Sequence, residues 1–296
     1  TLSGMTSRYD RTLYDDRDSD WDFGRYTPDV VVMNLGANDI YGATEMMVRR
    51  RYVEMLDLLR AAHPAAHIVV FNGWGWDFDE PADYTEEVVE SYGDSNVSVA
   101  TFPWVFEQWH GCETDHAGMA RYLIEHIESE LSWEADTPDV MDGFGSGGDV
   151  ANGGFESVAP FGGYGWRYYT DDGVERVEDS SEAHEGEFFL RLSDRASVHQ
   201  PNPAQDGEVV TVSLWLKGAG EDDTVDVTID FRNQEMWTDP IESETTTVEL
   251  TTEWAEHTIT ATAPEGARRP VFHTRLTLEA SRSATVDVDS ISMTTD

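Results

Sequence analysis

The sequence contains one lysine, Lys217, and one cysteine, Cys112. A single cysteine rules out an intramolecular disulfide and a cysteine metal cluster, and leaves the compartment open. No apolar run reaches membrane-spanning length, which excludes a helical span. No glycine-rich phosphate loop is present, which argues against a phosphate- or sulfate-handling α/β protein. No internal repeat and no signal peptide stand out. The chain does not begin with Met, and Thr1 already sits in a globular pattern, so the start is expected to be cut or processed. Basic residues number 19 against 59 acidic ones, a formal net charge of −40. Phosphate binding needs basic patches, so nucleic acid and anionic membrane are excluded as partners.

What is present suffices to fold. Hydrophobic residues make up 39% of the 296 positions and aromatics 11%, so the charge does not imply disorder. The length allows two cores of ordinary size. The acidic residues spread along both halves. In dilute buffer such a chain repels itself; at molar salt the screening length falls to roughly 3 Å and the repulsion fades. This composition resembles proteins of halophilic archaea and predicts a salt-rich medium.

The two halves differ in pattern. In residues 1–133, Asp29–Leu35 is a continuous apolar run, expected to be a buried parallel strand. Ala43–Ala62 spaces Met47, Val48, Met55, Leu58 and Leu59 as a helix does. His67–Asn72 and Val97–Thr101 read as further strands, Tyr84–Tyr92 and Asp115–Leu131 as further helices. That alternation predicts an α/β layer with a parallel sheet. Residues 134–150, rich in Gly, Asp and Ser, read as a linker. Residues 151–296 show no helix. Short strands recur at Phe188–Leu192, Glu208–Lys217, Asp223–Arg232, Thr245–Leu250, Glu256–Ala263, Val271–Glu279 and Thr285–Met293. Separated by turn residues, they predict an antiparallel sandwich.

Gly36-Ala37-Asn38-Asp39 follows the first strand, and open α/β sheets place active sites at strand carboxyl ends. Taken alone, the tetrapeptide is also a plain turn with a capping Asn or Asp. The stretch from Tyr9 to Ile40 resembles the corresponding part of SGNH/GDSL hydrolases, most closely carbohydrate esterases of family two. That resemblance implies a flavodoxin-like three-layer fold and acyl-transfer chemistry. It implies that the Asn38 amide donates to an oxyanion hole. Leu2-Ser3-Gly4-Met5 resembles the superfamily's second block, which implies that the Gly4 N–H donates to the same oxyanion. Each such donor is worth about 3–4 kcal/mol in the best-studied case.

The base is expected within Phe102–Leu123, and two histidines fit. The superfamily's spacing places an acid three residues before the base. Counting from His110 gives Glu107 at that position, with His116, Met119 and Ala120 following at the expected helical offsets. Counting from His116 gives Glu113. The resemblance implies His110 as base with Glu107 orienting it, and His116 as the alternative. It also places the nucleophilic serine on an earlier strand, a block that this sequence lacks; neither Ser3 nor Ser7 carries that motif. The hydrolase domain is therefore expected to be truncated, without its first strand and its nucleophile. Trp74, Trp76, Trp104 and Trp109 stand near these blocks and could stack on a sugar, although Trp74 and Trp76 fit a core equally well.

The second half resembles carbohydrate-binding modules of the family four and nine type. The resemblance is carried by Asn152-Gly153-Gly154-Phe155-Glu156, Gly165-Trp166, Val198-His199-Gln200, Val210–Gly218, Leu250–Trp254 and Val286–Ile291, in that order. It implies a jelly roll whose sugar contacts would come from Trp166, Tyr168, Tyr169, Gln200, Arg232 and Trp237, since aromatic faces cover the C–H face of a pyranose. Trp215 and Trp254 read as core. Such modules often hold a structural calcium, for which Glu156 and Asp287 are the candidate ligands; no other cofactor is implied. The combined expectation is an esterase or deacetylase acting outside the cell on acylated polysaccharide. A non-catalytic carbohydrate-binding protein on a degenerate hydrolase scaffold is the alternative.

Overall fold

The computed structural model describes residues 2–13, 15–39, 42–73, 83–102, 111, 113–135, 150–157, 165–168, 172–232, 239–266 and 272–296. The chain divides into two compact units, Thr1–Pro103 with Leu123–Ala135, and Trp104–Tyr122 with Asp136–Asp296. Most of the expected linker lies outside the described residues.

In the first unit three strands pair in parallel, β1 (Val30–Met33), β2 (His67–Gly73) and β3 (Val97–Phe102), in the order β1-β2-β3. Helix α1 (Leu2–Thr6) packs on α2 (Glu45–Ala62), and α2 on α3 (Asp83–Tyr92), which lies against the strands; of α4 (Glu113–Leu131), the part from Leu123 onward belongs to this unit. Alternation along the strands sorts the two faces. Ile68, Val70 and Val97 join Val48, Tyr52, Met55, Leu56 and Leu59 of α2 and Tyr84 and Val88 of α3 in one core. Phe71 and Phe102 meet on the opposite face at 5.4 Å. The C-terminal half of α4 binds that face as well, through His126 and Ser98.

Helix α2 starts where Thr44 accepts a hydrogen bond from the Met47 N–H, and it stops at His63, just before Pro64. Its buried stripe is rotated from the expected one. Met47 and Leu58 are exposed, and Tyr52 and Leu56 take the inward positions. Strand β1 also departs from expectation. It is an edge strand, and Val32 is 41% exposed, because only β2 pairs with it among the described residues.

The second unit is a two-sheet antiparallel sandwich. One sheet joins β4 (Arg167–Tyr168), β7 (Ser197–Ala204), β9 (Thr224–Arg232), β10 (Glu242–Glu249) and β12 (Phe272–Ala280) in the order β10-β9-β12-β7-β4. The other joins β5 (Val174–Glu178), β6 (Phe188–Ser193), β8 (Val209–Gly218), β11 (Ala255–Thr262) and β13 (Thr285–Thr295) in the order β11-β8-β13-β6-β5. Inward residues alternate along each strand, as with Val210, Val212, Leu214 and Leu216 of β8.

Strand β7 was not legible as a strand because it holds Pro201 and Pro203, which cannot donate to a ladder. It pairs with β12 along its length, but β4 reaches only Val198 and His199. Both prolines therefore lie where that edge has no neighbouring strand among the described residues.

Candidate functional site

The loop after β1 is built before its functional residues are reached. Gly36 is buried and has φ +117°, a conformation that L side chains rarely adopt. A Cβ there would stand 2.7 Å from the Tyr52 hydroxyl oxygen. That hydroxyl donates to the Leu35 carbonyl, and the Asn72 amide donates to the hydroxyl at 3.2 Å. Burial pushes the Tyr52 pKa up to about 12, so the phenol stays a neutral donor. Tyr84 closes the pocket edge-on, its ring centroid 6.0 Å from that of Tyr52. Asn34 ties β1 to β2 by donating to the Phe71 carbonyl at 2.8 Å. The turn closes when the Asp39 N–H donates to Gly36 O at 2.8 Å.

This frame presents Asn38 at an exposed tip, at the carboxyl end of β1. Gly4 lies in α1, half-buried, and its carbonyl accepts from Ser7 Oγ at 3.0 Å. His116 is exposed in the first turn of α4, next to the fully buried Asp115. Glu107, His110, Trp74, Trp76, Trp104 and Trp109 lie outside the described residues, as do Tyr169 and Trp237.

In the sandwich, two of the expected sugar contacts are structural instead. Trp166 is 2% exposed, packs on Phe155 and donates its indole N–H to the Asn152 carbonyl at 3.2 Å. Its ring belongs to the core and has no face to offer a sugar. Gln200 is buried as well. Its amide accepts from Ala151 N at 2.7 Å and donates to the carbonyls of Ala151 at 2.9 Å and Gly165 at 3.0 Å, fastening the opening segment to β7. Tyr168 differs from both: it is 44% exposed on the edge strand β4.

Arg232 is buried in an ion-pair cluster on the outward face of its sheet. Asp230 Oδ2 accepts from Arg232 at 2.8 Å and from Arg275 at 3.1 Å, and Asp230 Oδ1 accepts from Ser243 at 2.5 Å. Burial alone would raise the Asp230 pKa. The bonds from Ser243 and Arg232 outweigh it and hold the carboxyl below the usual range. Alternation along β9 (Asp226, Thr228, Asp230, Arg232) marked this face in the sequence; the pairing with Arg275 of β12 did not show there.

Trp215 and Trp254 are half-buried and stand outside the sandwich core. His184 stacks on Trp215 at 3.7 Å, and Trp254 donates to the Glu182 carbonyl, so they bind the loop between β5 and β6 to the second sheet. The proposed calcium pair does not fit. Asp287 is held by Arg191 through two bonds of 2.7 and 2.9 Å, and Glu156 accepts the N–H groups of Glu187 and Phe188. The acid that stands with Glu156 beside Gly154 is Asp289, whose carboxylate caps the N–H groups of His184, Glu185 and Ser290. Among the described residues no three His, Cys, Asp or Glu side chains gather as a metal site.

A parallel α/β layer with a shaped loop at its strand carboxyl ends, followed by a two-sheet sandwich, defines a two-module protein. Comparison with known families finds a match for each module. Residues 1–121 match the GDSL-like Lipase/Acylhydrolase family and residues 149–281 match the Carbohydrate binding domain family. The chain joins a GDSL-type acylhydrolase domain to a carbohydrate-binding domain. It is 33% identical over 129 residues to the cellulase/esterase CelE of Acetivibrio thermocellus, a match covering 38% of this chain and 16% of that protein. Among solved structures it is similar to a family two carbohydrate esterase from Clostridium thermocellum in complex with cellohexaose, at 32% identity, 43% of each chain and a TM-score of 0.40. It is also similar to a family 16 carbohydrate-binding module, at 16% identity, 49% of this chain, 98% of that one and a TM-score of 0.36. No described helix is long and apolar enough to cross a membrane.

Proposed function

We propose that this chain is part of a carbohydrate esterase that removes acyl groups, acetyl among them, from a polysaccharide to which its own sandwich binds. One observation carries the reading. Within the region that matches the GDSL family, the Gly36–Asp39 turn rests on the Tyr52–Asn72 frame and presents Asn38 at the carboxyl end of a parallel strand. The same chain carries a carbohydrate-binding domain. The proposed boundaries are 1–133 for the hydrolase domain, 134–150 for the linker and 151–296 for the binding domain.

A serine hydroxyl attacks the ester carbonyl while His110 takes its proton and Glu107 orients the ring. The Gly4 N–H and the Asn38 amide hold the oxyanion. The imidazole then returns the proton to the leaving sugar hydroxyl, and water releases the acid. His116 replaces His110 in the alternative register. The serine is expected on a further strand beside β1, a position supported by the exposed Val32 and by the edge of β1 that has no second neighbour among the described residues. A polymeric substrate implies action outside the cell, and the acid-rich surface implies a salt-rich medium.

The test uses the chain extended upstream through that strand, assayed at molar salt with p-nitrophenyl acetate. Release of p-nitrophenol that His110→Ala abolishes supports the reading. An inactive His116→Ala beside an active His110→Ala moves the base to His116. No release, with retention on insoluble xylan or cellulose intact, leaves a carbohydrate-binding protein on a degenerate scaffold.

A further inference from the structure

The opposite end of the sheet holds a cluster that the acyl-transfer reading does not use. His67 opens β2, Ser98 stands near the start of β3, and His126 lies in the second half of α4. Strand starts and the Asn38 loop are at opposite ends of a parallel sheet. Ser98 Oγ lies 2.8 Å from His67 Nε2 and 2.8 Å from His126 Nε2.

The chemistry of a bridging hydroxyl limits what the two rings can be. Serine has one proton to donate and two lone pairs to accept with. In the neutral cluster one Nε2–H donates to Oγ, and the Oγ–H donates to the bare Nε2 of the other ring. One added proton leaves both bonds in place, because the donating imidazole can be charged. A second added proton does not. Both Nε2 atoms then donate to the same oxygen, the hydroxyl proton loses its acceptor, and two like charges flank one atom.

The surroundings oppose the second proton at His67. The residue is 7% exposed, so little water reaches the ring. Burial is the largest influence and lowers its pKa. His126 and Arg60 of α2 lower it further, against Glu130 of α4 and Asp94 of the turn before β3, which raise it.

We propose that His67, Ser98 and His126 form an acid-released clasp that holds the C-terminal half of α4 on the sheet and lets go when both imidazoles are protonated. A histidine with a lowered folded pKa contributes stability that is complete above its unfolded value of about 6.5. The contribution is lost as pH falls from there through the lower folded value. The clasp acts on Leu123–Leu131, the part of α4 that belongs with the sheet. The clasp does not depend on the esterase reading.

The experiment is peptide-resolved hydrogen exchange on the full chain at molar salt, corrected for intrinsic rates, from about pH 7 to about pH 5, the range in which imidazole changes charge. Protection of residues 123–131 should fall about tenfold, on the order of one lost hydrogen bond, while β8 of the sandwich stays constant. His126→Gln offers a donor that does not titrate, so it should keep the protection and flatten the profile. Ser98→Ala should be weakly protected at every pH, with no step. Equal protection at both pH values, or an unchanged step in His126→Gln, would overturn the proposal.

Discussion

Replacing Gly36 by alanine tests whether the Asn38 loop is held from behind by Tyr52. The new methyl group is forced into a positive-φ conformation, which costs on the order of 1–3 kcal/mol. It also meets the Tyr52 oxygen at 2.7 Å, too close for any real Cβ contact. Tyr52 cannot retreat freely, because its ring is fully buried between α2, α3 and the sheet. Its hydroxyl must leave the Leu35 carbonyl and the Asn72 amide, and a disrupted buried bond adds about 1–3 kcal/mol. The sum is about 2–6 kcal/mol, a large share of a domain stability of about 5–15 kcal/mol. Tyr52→Phe removes the obstructing oxygen and itself costs about 1–3 kcal/mol through the two groups left unpaired. In that background Gly36→Ala should cost about 1–2 kcal/mol less, a coupling expected only of residues in contact. The measurement is the urea midpoint of hydrogen exchange in β2 peptides at molar salt, which keeps unfolding of the sandwich out of the reading. Equal costs in the two backgrounds would refute the contact. A cost near zero in wild type would refute the positive-φ loop.

Trp166→Ala should destabilise the sandwich by about 3–5 kcal/mol as a core truncation. Tyr168→Ala should leave its stability within about 0.5 kcal/mol of wild type and weaken retention on insoluble xylan; loss of retention only in the first variant would reverse that division. Asp230→Asn should cost about 3–5 kcal/mol by depriving Arg232 and Arg275 of their shared carboxylate. Since the Asp230 pKa is depressed, its contribution is complete above about pH 4 and is lost as pH falls through the lower folded value; an acid unfolding curve unchanged in Asp230→Asn would contradict the ion cluster. Lowering salt from about 1 M to about 0.1 M lengthens screening from roughly 3 to roughly 10 Å, and at a net charge of −40 the melting temperature should drop; calorimetry showing no change would remove the salt-rich reading.

Much of the architecture was legible because local pattern and burial coincide. The runs at β2 and β3 and the helical spacing of α3 and α4 became those elements within a residue or two. The expected sandwich strands all formed. Reading failed where a residue's neighbours come from distant segments. Pro201 and Pro203 hid β7, because an edge that tolerates proline is a property of the sheet. Trp166 and Gln200 looked like sugar contacts because their side chains suit that task. Only their contacts with Ala151, Asn152, Phe155 and Gly165 show that they serve the fold. The calcium pair failed for the same reason: Arg191 of the neighbouring strand stands directly opposite Asp287 and holds it, and Asp289 stands beside Glu156 instead.

Order along the chain therefore determined the two modules, their strand and helix sequence, and the acid-rich, lysine-poor surface, since each follows from local periodicity or from composition. Tertiary structure alone decided that Tyr52 backs the Gly36 turn, that one serine bridges two histidines from separate elements, and that Asp230 is shared by two arginines. Apart from the Asp230–Arg232 pair, two positions apart on one strand, those contacts join residues from separate elements, at distances that no local spacing records.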